Sequence, residues 1–156
     1  MNASAESVSR PATPQRHKTK PLLSVRGVCS LVDKSQNKVL ELIESGEIAW
    51  AFDVSLAQKP GRKRHLRILP AAVADYLKGL TCELKWADVL GLMLPDAPAI
   101  LACEITRVLN VSSEHTYNLI DQKQIIASPT RRRGPGGSAR VPAKSFVQFL
   151  QKRRFP

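Results

Sequence analysis

Two apolar stripes at helical spacing stand almost end to end between residues 23 and 46. Val25, Val28, Cys29 and Val32 fall at i, i+3, i+4 and i+7 behind Ser24, a residue suited to capping a helix start. The first helix is predicted to end near Asp33. Ser35 then caps a second stripe, with Val39, Leu42 and Ile43 facing inward and Gly46 able to take a left-handed stop. Two short helices joined by so tight a turn must cross sharply.

Beyond Gly46 the period shortens. Ile48, Trp50, Phe52 and Val54 alternate with smaller or polar residues, as a half-buried strand does. The stretch from Gln58 to Arg64 breaks the strand with Pro60 and Gly61, and Leu66 and Ile68 resume the alternation, which predicts a basic-tipped β-hairpin. Pro70 suits the first turn of another helix, whose apolar face is Val73, Tyr76 and Leu77. The order helix, turn, helix, hairpin, helix is complete by Leu80.

The same order is predicted a second time. A shift of 77 residues lays Val28 on Ile105, Leu31 on Val108, Val32 on Leu109, Ser35 on Ser112, Leu42 on Leu119, Ile43 on Ile120 and Ile48 on Ile125. After the hairpin the shift becomes 73, pairing Arg67 with Arg140, Ile68 with Val141, Val73 with Phe146, Tyr76 with Phe149 and Leu77 with Leu150. A second hairpin shorter by four residues accounts for the change. Between the copies, the run WADVLGLM predicts a short bridging helix with Trp86 in the core, and Asp96 with Pro98 look like the cap and first turn of the next helix. The expected fold class is mainly α with small β-hairpin wings, arranged as two modules at 21–80 and 97–156 joined by a helical linker at 81–96. Residues 1–20, rich in Ser, Ala, Pro, Thr and basic residues, are expected to form a disordered arm, with Arg10, Arg16, Lys18 and Lys20 able to touch phosphates or simply to stay solvated.

Charge narrows the class of partner. The chain has 24 Lys and Arg against 13 Asp and Glu, a net +11, for which a polyanion is the simplest counterpart. Residues 99–156 hold 10 basic and 3 acidic side chains and are the most cationic part. Cys29, Cys82 and Cys103 lie far apart, with no CxxC pair and no histidine at ligand spacing, so neither a zinc site nor a disulfide framework is expected. A signal-peptide stretch and a membrane-length apolar run are both absent, which predicts a cytoplasmic protein with no membrane contact, and a polyanionic partner such as DNA would make it nucleoid-associated.

The residues LLSVRGVCSLVDKSQNKVLELIESGEI resemble the start of the excisionase and MerR-like winged helix-turn-helix modules, and ILACEITRVLNVSSEHTYNLIDQKQI resembles it again. Glu104 stands where that family often has Glu, and Asn110 where it often has Gly. Three positions depart from the pattern. Asp33 replaces the turn glycine and Lys34 a buried Val, which predicts a looser first turn, while Lys123 replaces the glycine that ends the recognition helix, which predicts a different helix end.

The resemblance implies that the second helix of each module enters the major groove and that the hairpin wing grips flanking phosphates. It nominates Gln36, Asn37, Lys38 and Glu41 for the groove. Gln and Asn present a donor and an acceptor to an adenine edge, and Lys38 can reach a guanine or a phosphate, although polar residues on an exposed helix face are also ordinary. The wings nominate Lys59, Arg62, Lys63, Arg64 and Arg67, then Arg131, Arg132, Arg133 and Arg140 around GPGG; adjacent arginines repel one another unless an anion screens them. On the second recognition helix the candidates are Ser113, His115, Tyr117 and Asn118. Glu114 there either accepts from a cytosine amine or marks a copy that reads little sequence and contacts protein instead.

Catalytic patterns are missing. There is no Ser-His-Asp or Cys-His arrangement, no paired carboxylates and no phosphate-binding glycine loop, and His17, His65 and His115 are isolated from one another in sequence. The expected function is a DNA-binding protein that is not an enzyme, without cofactor, metal or small-molecule substrate. It serves as an excisionase-like architectural factor in DNA recombination or as a transcriptional regulator, with itself or a recombinase as a further partner. The alternative is a protein-interaction adaptor whose basic surface meets an acidic partner or RNA.

Overall fold

Ser24 and Ser35 each open a helix in the computed structural model, which describes residues 21–56, 64–128 and 139–155. A two-residue strand β1 (Leu23–Ser24) leads into α1 (Val25–Val32), where the Gly27 N–H donates to Ser24 Oγ at 3.1 Å. The helix stops at Asp33 with φ 53°. Ser35 Oγ accepts from the Lys38 N–H at 3.3 Å to start α2 (Gln36–Glu44). Gly46, at φ 82°, turns the chain out of α2.

The chain then runs through β2 (Ala51–Asp53) and returns as β3 (Leu66–Ile68), antiparallel, with Phe52 opposite Arg67. β1 pairs with the other edge of β3. Ile48, Trp50, Phe52 and Val54 are all buried, but the half-buried strand expected across them is shorter: β2 spans Ala51–Asp53, Trp50 stands at φ 61°, and Ala51 is buried too. Pro70 occupies the first turn of α3 (Pro70–Leu77), a place where its missing N–H costs nothing. The buried face of α3 is Ala72 and Val73 with Tyr76 half-buried, whereas Leu77, expected to face inward, is 53% exposed. The helix ends there and the chain leaves through Gly79 at φ 68°, so the stripe runs out before its last residue is covered.

The run WADVLGLM forms α4 (Trp86–Met93), with the Asp88 carboxylate accepting from the Lys85 N–H at 2.9 Å. Asp96 and Pro98 do not start the next helix. Residues there enter β4 (Ala99–Leu101), and α5 (Ala102–Leu109) follows with Glu104 accepting from the Leu101 N–H at 3.1 Å. The reason is non-local: Ile100 pairs with Val141, and Pro98 O accepts from the Ala143 N–H at 2.9 Å, so strand pairing claims the segment. After Asn110, Ser112 caps α6 (Ser113–Asp121) by accepting from the His115 N–H at 3.1 Å. β5 (Arg140–Pro142) pairs with β4, and α7 (Ala143–Arg153) ends in β6 (Arg154–Phe155).

Backbone conformations match at corresponding positions of the two segments. Asn110 has φ 54°, matching Asp33, and Lys123 has φ 60° where Gly46 has 82°. The looser first turn and the different helix end expected of Asp33 and Lys123 do not occur. Asp tolerates the left-handed region through its short polar side chain. Lys123 is held in it by the Gln124 and Ile125 N–H groups, which reach back to Leu119 O at 2.9 and 3.2 Å.

The two halves share one interior. A single apolar cluster gathers Leu22, Trp50 and Phe52 from the first half, Val89 and Met93 from α4, and Ile105, Leu109, Phe146 and Leu150 from the second. Trp86 stacks on Trp50 with ring centroids 5.8 Å apart and tilts on Phe52 at 6.3 Å. Another cluster, built on Val28, Val39, Ile43, Ile48, Ile68 and Val73, lies within the first half. The sheet crosses the boundary too: its strand order is β1-β3-β2-β6, with Ala51 paired to Phe155 and Phe52 to Arg154. The segment expected as a linker thus supplies core side chains. Among the described residues, no helix is long and apolar enough to cross a membrane.

A shared core has a thermodynamic consequence. Phe146, fully buried in the second half, belongs to the same cluster as Trp50 and Trp86. Phe146→Ala is expected to destabilise the whole chain by about 3–5 kcal/mol. Tryptophan fluorescence and far-ultraviolet circular dichroism should then report one coincident urea transition; two separated transitions would show that the halves unfold independently.

Candidate nucleic-acid interface

α2 presents an open polar face. Gln36, Asn37, Lys38 and Glu41 are all exposed, and no acidic side chain occupies the first turn of the helix. Lys38 Nζ lies 3.2 Å from Glu41 Oε2 with both side chains largely in solvent. An exposed pair of this kind contributes about 0–1 kcal/mol, so a phosphate or base edge competes readily for Lys38.

The corresponding face of α6 is partly occupied. His115, which takes the place of Lys38, is half-buried, with Nε2 2.6 Å from Val54 O at the base of the first hairpin. A carbonyl only accepts, so Nε2 carries a proton. The same ring meets His65 edge-on, with centroids 5.2 Å apart. Asn118, one turn on, is half-buried, and Tyr117 Oη accepts from the Ala139 N–H at 3.4 Å. Ser113 and Glu114 are exposed.

The hairpin cations divide. Arg64 is exposed, its guanidinium 4.6 Å over the Phe155 ring, and Arg140 is exposed on β5. Arg67, expected on a phosphate, is only 9% exposed. Its Nε donates to Leu109 O at 3.0 Å and Asn110 O at 3.1 Å, its Nη2 to Asn110 O at 3.0 Å, and its Nη1 to Leu66 O at 3.0 Å. The last carbonyls of a helix lack partners within it and carry partial negative charge, which a planar guanidinium fork satisfies. Beside it the Leu22 N–H donates to Val108 O at 2.8 Å. Lys59, Arg62, Lys63, Arg131, Arg132 and Arg133 lie outside the described residues.

Burial holds the His65 imidazolium below its usual range, and Arg67 and His115 push in the same direction while Asp53 opposes them. Burial likewise lowers Arg67. The histidine pair was not legible in the sequence, since fifty residues separate its members. Arg67 was misleading for a related reason: on an alternating strand it occupies the face opposite Leu66 and Ile68, a face that is solvent in an isolated module and is covered here by α5. Arg154, over the Trp50 ring at 3.8 Å, is a further cation whose placement only the fold defines. Among the described residues, no group of three or more His, Cys, Asp or Glu side chains is positioned to hold a metal ion.

Two stability measurements test this seam. Arg67→Ala leaves the Leu109 and Asn110 carbonyls without that donor and should cost about 2–3 kcal/mol in urea denaturation, with Arg67→Lys failing to restore it; a loss under about 0.5 kcal/mol would rule the seam out as a stabilising interaction. Because the folded state disfavours protonated His65, the unfolded chain binds more protons between its lowered value and the ordinary 6.5. Stability should therefore be fully present above pH 6.5 and fall as the pH drops through that window, and His65→Gln should flatten the slope. A slope unaltered by the substitution would assign the dependence to other groups.

No protein-family model, curated protein or solved structure matches the chain.

Proposed function

We propose that the chain binds double-stranded DNA as two fused winged helix-turn-helix units, with a recognition helix in the major groove and basic hairpins on flanking phosphates. The observation that carries this reading is α2: the second helix of a sharply turned, serine-capped pair offers Gln36, Asn37, Lys38 and Glu41 to solvent with no carboxylate in its first turn. These are side chains that can address base edges. The net charge of +11 supports the same partner. So do the exposed Arg64 and Arg140, which adjoin hairpin sequences holding Lys59, Arg62 and Lys63 in the first half and Arg131, Arg132 and Arg133 in the second. Affinity on this reading comes mostly from phosphates, and α2 supplies the preference for sequence. The biological role that fits is an architectural factor of the excisionase kind or a transcriptional regulator, and chemistry is not required of it.

Fluorescence anisotropy against duplex DNA, single-stranded DNA and RNA over a salt series tests the proposal. Duplex should bind most tightly, with log K falling linearly against log salt. Arg131, Arg132 and Arg133 replaced together by Ala should weaken binding to every duplex and flatten that slope by about 0.9 for each phosphate no longer neutralised. Equal binding to all three nucleic acids, or none in dilute buffer, would favour an adaptor for an acidic protein or RNA.

A further inference from the structure

The repeat supplies two helices in equivalent places, and their surroundings differ. An α-helix with its side chains is about 10–12 Å across, and the major groove is about 12 Å wide, so a helix enters only with its leading face clear. On α2 that face is clear at Gln36, Asn37, Lys38 and Glu41. On α6 Ser113 and Glu114 are exposed, but the first hairpin is seated against the rest of that face. His115 is bonded to Val54 O at 2.6 Å and set edge-on to His65, and Asn118, on the same face one turn later, is half-buried. The charge differs as well. The first turn of α6 presents Glu114, a carboxylate that a phosphate ridge repels, and the position it shares in the repeat is Asn37 in α2.

Resting on the DNA-binding reading above, we propose that base reading is confined to α2, and that α6 is a brace that holds the base of the first hairpin. Each chain then places one helix in a major groove, and sequence preference resides in the first half alone. The second half contributes through the cationic sequence that holds Arg131, Arg132 and Arg133 and by holding the Val54 and His65 segments of the first hairpin. His115 is a positioning residue in this arrangement, because it acts on DNA only through the Val54 and His65 segments it holds.

The test compares two equivalent double variants of the full chain. Gln36→Ala with Asn37→Ala removes the exposed first-turn side chains of α2; Ser113→Ala with Glu114→Ala removes their counterparts on α6. All four positions are exposed, so both variants should keep the circular dichroism and melting of the parent chain. Each is titrated onto a duplex selected from a random library by the full chain and onto a scrambled duplex of the same composition. The α2 variant should lose at least about tenfold of the discrimination between the two duplexes, and the α6 variant should retain it within about twofold. Comparable loss in the α6 variant, or undiminished discrimination in the α2 variant, would overturn the assignment while leaving DNA binding intact. A parent chain that binds neither duplex would instead remove the DNA-binding reading, and this inference with it.

Discussion

A helix that ends inside a protein leaves its last carbonyls without intrahelical partners, and at the end of α5 those partners come from the other half of the chain. Leu22 N–H takes Val108 O, and the Arg67 guanidinium takes Leu109 O and Asn110 O. The fork of an arginine is planar and rigid, so these bonds define where β3 sits against α5 and in what orientation. Two further interactions reinforce the same seam: His115 on Val54 O, and β6 laid along β2. With these carbonyls bonded, the apolar side chains of both halves close over a common cluster that includes α4.

That seam gives two segments of similar pattern different surroundings. Two copies of one unit, held apart on a flexible connection, would offer two equivalent helices to a partner. Here the first hairpin reaches α6, and the corresponding surface of α2 stays open. Arg67 and Arg140 illustrate the same point, since equivalent arginines are buried in one half and exposed in the other. Equivalence of sequence pattern therefore does not imply equivalence of role.

Local features were legible from residue order. The serine caps at Ser24, Ser35 and Ser112, the glycine stop at Gly46, Pro70 at a helix start and the alternation from Ile48 to Val54 all depend on atoms within a few residues of one another. The misjudged positions share the opposite property. Asp96 and Pro98 read as a helix start until β5 pairs with the residues that follow them, Ala99–Leu101, and Arg67 reads as a wing cation until α5 covers it. Leu77 completes a stripe whose outer end stays about half exposed. The open face of α2 was also anticipated, whereas the occlusion of α6 was not, because its cause lies in a hairpin about fifty residues away.

By itself the sequence determined the serine caps, the left-handed turns and the apolar stripes of the paired helices, since helix caps, turn conformations and apolar periodicity are short-range. It also determined the cationic character of the chain, which is a count of side chains. Only the tertiary structure decided which copy keeps its polar helix face in solvent and which cations face inward. Those outcomes depend on what packs against each unit, and the packing partners come from segments far away in the chain.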